Sequence, residues 1–177
     1  MKKKLNNIIL SIFILSSIGY SDNDGIIEMY EFIGVQTGVS SASAGDKSGS
    51  DTTSPTIGFK YGQQTSEWRT AIYYNYAHHS DEKFHSVVAQ VDHGIMMEAF
   101  ADLPVKPYIG FSIGMMQHRY KGDSNSDFIY GINTGLNYVL NNNMDLDLSF
   151  QHLWTGSKLE NLDGMNNLNL SLHYYFD

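Results

Sequence analysis

Apolar and polar residues alternate with a period of two along most of the chain, most clearly at the C-terminus. There, one face of an extended segment carries Leu168, Leu170, Leu172, Tyr174 and Phe176. The positions between them hold Asn, Asn, Ser, His and Tyr. Because successive side chains of a β-strand point to opposite faces, this alternation predicts strands and not helices.

Seven further segments repeat the alternation upstream. They span about residues 29–39, 57–62, 68–77, 84–101, 109–115, 128–138 and 144–151, before the last at 167–176. Long polar links are predicted at 40–54 and 156–163, shorter ones at 79–83 and 121–126, and tight turns at 63–66, 102–105 and 141–143. An even number of strands with alternately long and tight connections is typical of an up-and-down barrel of the bacterial outer membrane, whose short turns face the periplasm.

The fourth segment, about 84–101, fits two phases. One phase puts Gln90, Asp92 and Glu98 on the polar face and leaves His93 among the apolar residues. The other phase would put two carboxylates in the apolar environment. Placing two carboxylates there costs more free energy than placing one imidazole there. We therefore predict that Gln90, Asp92 and Glu98 share the polar face.

The aromatic residues distinguish a membrane barrel from a secreted β-sandwich or lipocalin-like barrel, which also alternates. They cluster towards the strand ends on the apolar face, one group being Tyr61, Trp68, Tyr138, Tyr174 and Phe176 and the other Tyr76, Phe128 and Trp154. Amphipathic rings settle at the headgroup level of a bilayer, so two end clusters indicate aromatic girdles. We predict an all-β fold, an eight-stranded antiparallel up-and-down transmembrane β-barrel.

The N-terminal residues 1–21 are typical of a signal peptide, which leaves residues 22–177 for the barrel domain. Lys2, Lys3 and Lys4 precede the apolar run from Ile8 to Ile18, too short for the roughly 20 residues of a membrane-spanning helix. Removal of residues 1–21 takes away three of the 11 basic residues and none of the 19 acidic ones, so the net charge falls from −8 to −11. This charge disfavours nucleic acid as a partner. The chain has no cysteine, which excludes disulfides and thiolate metal sites.

Five charged side chains are expected inside the barrel, in its periplasmic half. They are Lys60, Arg69, Glu98, Asp145 and Asp147. An eight-stranded barrel has room inside only for side chains, and buried charges need partners. The sequence therefore predicts a lumen plugged by an ionic network, with no open channel, no metal and no cofactor.

Several stretches resemble the small outer-membrane barrels that include the OmpA transmembrane domain, OmpX and the opacity-type proteins. They are Lys106-Pro107-Tyr108-Ile109-Gly110, Phe128-Ile129-Tyr130-Gly131 through Gly135-Leu136-Asn137-Tyr138, and Tyr174-Tyr175-Phe176. The resemblance implies export to the outer membrane of a Gram-negative bacterium and contact with its lipids, including lipopolysaccharide. It also implies recognition of the C-terminal strand by the barrel-assembly machinery. In that group the terminal residue is typically aromatic, whereas here Asp177 follows Phe176.

A second resemblance concerns the lipid A 3-O-deacylases, barrel enzymes with catalytic His, Ser and Glu near the outer leaflet. The segments His152-Leu153-Trp154 and Asp163-Gly164-Met165-Asn166 are similar to their C-terminal motif. However, Trp154 stands where the Ser is expected and Asn166 where the Glu is expected. A base with no nucleophile beside it provides no acyl-enzyme route.

The external loops carry the remaining candidate chemistry. His78, His79 and His85 flank Asp81 and Glu82, a set that suits Zn²⁺ but has no diagnostic spacing. The Ser/Gly/Thr-rich first loop fits an adhesive or antigenic surface with an unidentified extracellular partner. We therefore predict a non-enzymatic barrel with a structural or surface-interaction role, the alternative being a deacylase-like enzyme with an atypical site.

Overall fold

The structure is a computed structural model that describes residues 29–44, 52–79, 82–96, 99–100, 102–120, 123–156 and 162–176. The eight strands are β1 (Tyr30–Ala44), β2 (Thr52–Gln64), β3 (Trp68–His79), β4 (Glu82–Gly94), β5 (Val105–Tyr120), β6 (Asp123–Asn141), β7 (Met144–Thr155) and β8 (Leu162–Phe176). Every strand pairs antiparallel with its neighbour in sequence, and β1 pairs with β8 to close the barrel. The predicted fold class is confirmed. No helix among the described residues is long and apolar enough to span a bilayer.

Most strands extend further than the alternation predicted. The link expected at 121–126 is shorter because β5 runs to Tyr120 and β6 begins at Asp123, and Tyr120 pairs with Asp123. The links expected at 40–54 and 79–83 shorten in the same way. Beyond the hydrocarbon core of the bilayer the outward face of a strand contacts headgroups and water, so the sequence no longer alternates although the backbone ladder continues.

Strand β4 is shorter than predicted, because it ends at Gly94 and not near residue 101. The chain turns at Ile95 and Met96, where Met96 has a φ of 54° and the Ile95 amide donates to the Pro107 carbonyl at 3.0 Å. Ile95 and Met96 are both apolar, and for this reason the sequence predicted that the strand continues through them. The predicted phase is right, since Gln90 and Asp92 face inward while Val91 faces outward. Glu98, predicted to be an inward charge of this strand, lies beyond its end and outside the described residues.

The two faces of the wall differ as the alternation requires. Outward positions are mostly exposed aliphatic and aromatic side chains, such as Ile57, Phe111 and Leu170. Inward positions are small or polar, and many are almost fully buried, such as Gln36, Ser112 and Asn169. The inward side chains therefore fill the barrel, and the polar groups of its interior are the candidate functional groups.

Candidate functional site

An ionic cluster lies at the centre of the lumen's polar half. Arg69 on β3 places Nη2 2.6 Å from Asp147 Oδ2 on β7, and its Nε donates to Asp92 Oδ2 on β4 at 3.0 Å. The Arg69 guanidinium also lies 4.5 Å from the ring centroid of Tyr108, whose hydroxyl donates to Asp147 Oδ1 at 3.1 Å. All three charged side chains are at most 6% exposed. These ion pairs link β3, β4 and β7 across the lumen. They also offset the free-energy cost of burying the charges, which would be large for an unpaired charge.

Neutral side chains form a chain of hydrogen bonds that ends at the second carboxylate, Asp92. Gln90 Nε2 donates to it at 2.7 Å, and Asn133 Nδ2 donates to its other oxygen. Asn133 in turn accepts from Ser112 Oγ at 2.8 Å, and Ser112 accepts from Gln151 Nε2 at 2.8 Å. Gln151 also accepts from the Tyr73 hydroxyl at 2.8 Å. The buried polar groups along this path satisfy one another, which makes the lumen a rigid polar filling.

Asp145 belongs to a separate cluster nearer the periplasmic mouth. Its Oδ1 lies 2.8 Å from His173 Nδ1, and its Oδ2 accepts from Asn137 Nδ2 at 2.7 Å and from the Tyr175 hydroxyl. The His173 ring fits beside Gly34 on the neighbouring strand, where a Cβ would come within 2.4 Å of His173 Cδ2. The residues predicted as one network therefore divide between two clusters.

Lys60 occupies the lumen just beside the ionic cluster. It is 4% exposed and faces Tyr73 in the β2–β3 register, with Nζ 5.8 Å from the Tyr73 ring centroid. Lys60 and Tyr73 line a cavity of about 10 Å³ that also contacts Gln90 and Gln151. This volume suits at most a single water molecule.

The outer half of the lumen is closed by apolar side chains. The cluster consists of Tyr73, Ala77, Phe84, Val88, Met116, Ile129, Leu153 and Met165. Val88 and Ile129 have no exposed surface. This layer was not predicted from the sequence. Its signal is apolar residues at inward positions, such as Leu153 two residues after the inward Gln151.

The end of the lumen that carries the tight turns, the predicted periplasmic end, opens into a vestibule of about 260 Å³. Arg69, Asp92, Tyr108, Asp145 and Tyr175 contribute to its walls. The polar clusters thus separate this vestibule from the apolar layer, and the lumen is blocked in two successive layers.

The aromatic residues predicted as girdles all occupy outward positions. Five of them are exposed, namely Trp68, Phe128, Tyr138, Trp154 and Tyr174, and three are partly exposed, namely Tyr61, Tyr76 and Phe176. This exposure is expected of side chains that contact lipid and not protein. On the outer side the rings contact one another, with Tyr130 centred 6.2 Å from Phe128 and 5.7 Å from Trp154. Tyr130 was not among the predicted girdle residues, although it lies two residues from Phe128 on the same face.

The deacylase-like position holds a hydrogen-bonded pair. His152 Nδ1 lies 2.7 Å from Asn166 Oδ1, and the His152 ring packs edge-on against Trp154 at 4.6 Å. The outward face thus has an imidazole oriented by an amide and covered by an indole. An amide oxygen carries no negative charge to stabilise an imidazolium, and an indole offers no nucleophilic oxygen.

The histidines near the second outer connection contact aromatic residues. His85 Nδ1 lies 2.7 Å from the Tyr74 hydroxyl, and the rings of His78 and His85 lie 6.3 Å and 5.0 Å from Tyr76. The side chains of His79 and Glu82, and all of Asp81, lie outside what the structure describes. Within the described chain, no three His, Asp or Glu side chains gather as a metal site.

A closed eight-stranded barrel with an apolar outer face and a filled polar lumen defines the class of small outer-membrane barrels. The chain belongs to the outer membrane protein beta-barrel domain family, whose sequence profile matches residues 28–176. The predicted resemblance and outer-membrane location are confirmed.

Solved structures of other proteins show the same fold. Neisserial surface protein A is similar with a TM-score of 0.69 and 18% identity, covering 82% of this chain and 97% of that one. Outer membrane protein H of P. aeruginosa has a TM-score of 0.58 and 17% identity, covering 83% and 99%. The third structure is Ail, the attachment invasion locus protein of Yersinia pestis, solved with the heparin analogue sucrose octasulfate. It has a TM-score of 0.55 and 16% identity, and the match covers 85% of this chain and 100% of that one. No curated protein sequence matches the chain significantly.

Proposed function

We propose that the protein is a non-enzymatic barrel of the outer membrane that acts through its outer loops and lipid-facing surface. The observation that carries this proposal is the double closure of the lumen, first by the Arg69 cluster and then by the apolar layer around Val88 and Ile129. A solute path through the barrel would have to break both layers. The surfaces that remain for function are the lipid-facing wall, the outer connections and the periplasmic mouth.

The partners follow from the same geometry. Outer-membrane lipids, including lipopolysaccharide, cover the exposed aliphatic and aromatic side chains, and an unidentified extracellular molecule binds the outer connections as an adhesin or antigen partner would. The barrel-assembly machinery recognises β8, whose outward face alternates Leu168, Leu170, Leu172 and Tyr174. The signal peptide at residues 1–21 delivers the chain to this route.

The orientation underlying the proposal can be tested with single cysteines, because the chain contains none. Ser124 is exposed at the start of β6, on the side of the β5–β6 connection, and Asn142 is exposed in the tight turn between β6 and β7. We expect a membrane-impermeant maleimide to label Ser124→Cys in intact cells and Asn142→Cys only after lysis. Labelling of Asn142→Cys alone in intact cells would invert the proposed orientation.

A separate experiment tests the enzyme alternative at His152. Lipid A from cells with and without the protein is compared by mass spectrometry, together with cells that carry His152→Ala. We expect three identical acylation patterns. Loss of an acyl chain that depends on His152 would replace the proposal by a lipid A-modifying activity.

A further inference from the structure

A row of cationic side chains crosses the outer end of the wall on the lipid-facing side. Lys83 on β4 lies directly opposite Arg119 on β5, and His78 on β3 lies opposite Lys83. All three are exposed and occupy outward positions. Ser124 completes the row on β6, opposite Arg119. We call His78, Lys83 and Arg119 the outer cation row.

Two like charges directly opposite each other on a sheet face are destabilising unless an anion neutralises them. Of the carboxylates in β3 to β6 whose side chains the structure describes, Asp92 and Asp127, both are buried and neither shares the outward face with the outer cation row. The whole chain is acidic, with a net charge of −8. A pair of adjacent cations on an acidic protein therefore indicates a specific anionic ligand.

The rows below the cations fix the depth at which that ligand lies. Starting from the bilayer, the outward row Ile72, Ala89, Ile113 and Tyr130 is followed by Tyr74, Val87, Met115 and Phe128, and then by Tyr76, His85, Gln117 and Ser126. The outer cation row comes next, about 13 Å along the strands from the row that contains Tyr74, at roughly 3.3 Å a residue. Aromatic rings lie at the interface, so the cations reach the headgroup layer just outside it.

We propose that Lys83 and Arg119 bind a phosphate group of the glycolipid that forms the outer leaflet. The ammonium and the guanidinium each donate charge-assisted hydrogen bonds to the phosphate oxygens, and His78 adds a third donor beside them. This site extends the lipid contact of the proposed function from a general surface to a defined position. It rests on that function's orientation, in which the Lys83 end of the barrel faces outside.

The test measures lipid retention by the refolded protein in detergent micelles, using native mass spectrometry. The probes are bisphosphorylated lipid A, the same lipid A after phosphatase treatment, inorganic phosphate and sucrose octasulfate. The double variant Lys83→Gln/Arg119→Gln removes the cations, whereas Lys83→Arg/Arg119→Lys keeps both charges. Lys106→Gln is the matched control, because it removes a cation that donates to the Phe100 carbonyl at the opposite end of the barrel. A heat-dependent gel shift shows that each variant is folded.

We expect the wild type, the charge-keeping variant and Lys106→Gln to prefer phosphorylated over dephosphorylated lipid A by about tenfold or more, as one charge-assisted contact allows. Lys83→Gln/Arg119→Gln should lose that preference, and inorganic phosphate should bind only weakly. Equal retention of phosphorylated lipid A by the double Gln variant would overturn the proposal. Tighter, cation-dependent binding of sucrose octasulfate would also overturn it, because the row would then serve a soluble polyanion.

Binding in micelles does not depend on which way the barrel faces in a cell. Failure of this experiment is therefore distinct from failure of the cysteine-labelling experiment on Ser124 and Asn142. Only the latter tests the orientation on which the proposed function rests.

Discussion

At the scale of single residues, the lumen depends on a few charges whose partners lie on distant strands. Arg69 bridges Asp92 and Asp147, which are 23 and 78 positions away in sequence. Asp145 instead contacts His173 and Tyr175, although it lies only two residues from Asp147 on the same face of β7. Adjacent inward carboxylates therefore have different roles in stability.

This difference predicts the result of a double-mutant cycle. Arg69→Ala should reduce the free energy of unfolding by about 3–5 kcal/mol, because it leaves two carboxylates buried without their cation, whereas the lipid-facing Ile72→Val should cost about 1 kcal/mol. Asp147→Asn should partly relieve the loss, with a coupling energy of about 1–3 kcal/mol. The control cycle with Asp145→Asn should show a coupling energy below about 0.5 kcal/mol. Urea unfolding in lipid vesicles measures all four energies, and equal coupling in both cycles would refute the division into two clusters.

Gly34 provides a second prediction at this scale. A Cβ there would lie 2.4 Å from His173 Cδ2 and 3.1 Å from the Leu172 carbonyl, so Gly34→Ala should destabilise the barrel by about 1–3 kcal/mol. His173→Ala should cost less in the Gly34→Ala background than in the wild type, because it removes the clashing ring. The same urea titration detects the difference. Strictly additive effects would contradict the packing of His173 against Gly34.

At the scale of the elements, alternation predicted the existence, order and facing of all eight strands, but not their ends. Inward and outward sides were readable because only one side contacts lipid. The strand ends were not, because β5 and β6 pair beyond the hydrocarbon core of the bilayer through polar residues such as Gln117 and Ser126. The ion pairs were harder to predict from the sequence than the strand ends. The sequence placed Arg69 and Asp147 on the inward face, but the β3–β4 register that sets Asp92 opposite Arg69 is a property of the folded sheet.

The turn after β4 provides a prediction for this element. Met96 has a φ of 54°, a conformation that costs an L-residue with a side chain about 1–2 kcal/mol and favours glycine. Met96→Gly should therefore be more stable than Met96→Val by about 1 kcal/mol or more. At the outward strand position Met115 the order should reverse, with Val more stable than Gly, because β-branched residues favour strands. Thermal or urea unfolding of the four variants checks this, and the same order at both sites would contradict the turn geometry.

At the scale of the whole molecule, buried side chains fill the inside of the barrel, and its exposed outer surface is the part that we propose for recognition. The lumen combines a polar layer centred on Arg69 with an apolar layer that includes Phe84 and Met116. Charge differs between the two sides, since the Arg69 guanidinium inside is paired with Asp92 and Asp147 while His78, Lys83 and Arg119 of the outer cation row are exposed on the outward face. The interior therefore explains why the barrel holds together, and the outer wall carries the ligand site that we propose.

The lumen is closed in this structure, and single-channel recording in planar lipid bilayers is a direct test of that closure. The refolded wild-type protein is inserted under an applied voltage, and a heat-dependent gel shift of the same preparation in lipid vesicles shows that it is folded. We expect no stable conductance steps, because two layers of side chains fill the barrel between the vestibule and the outer end. Reproducible, long-lived conductance steps from the wild type would instead show a hydrated pore where the Arg69 cluster and the apolar layer now lie.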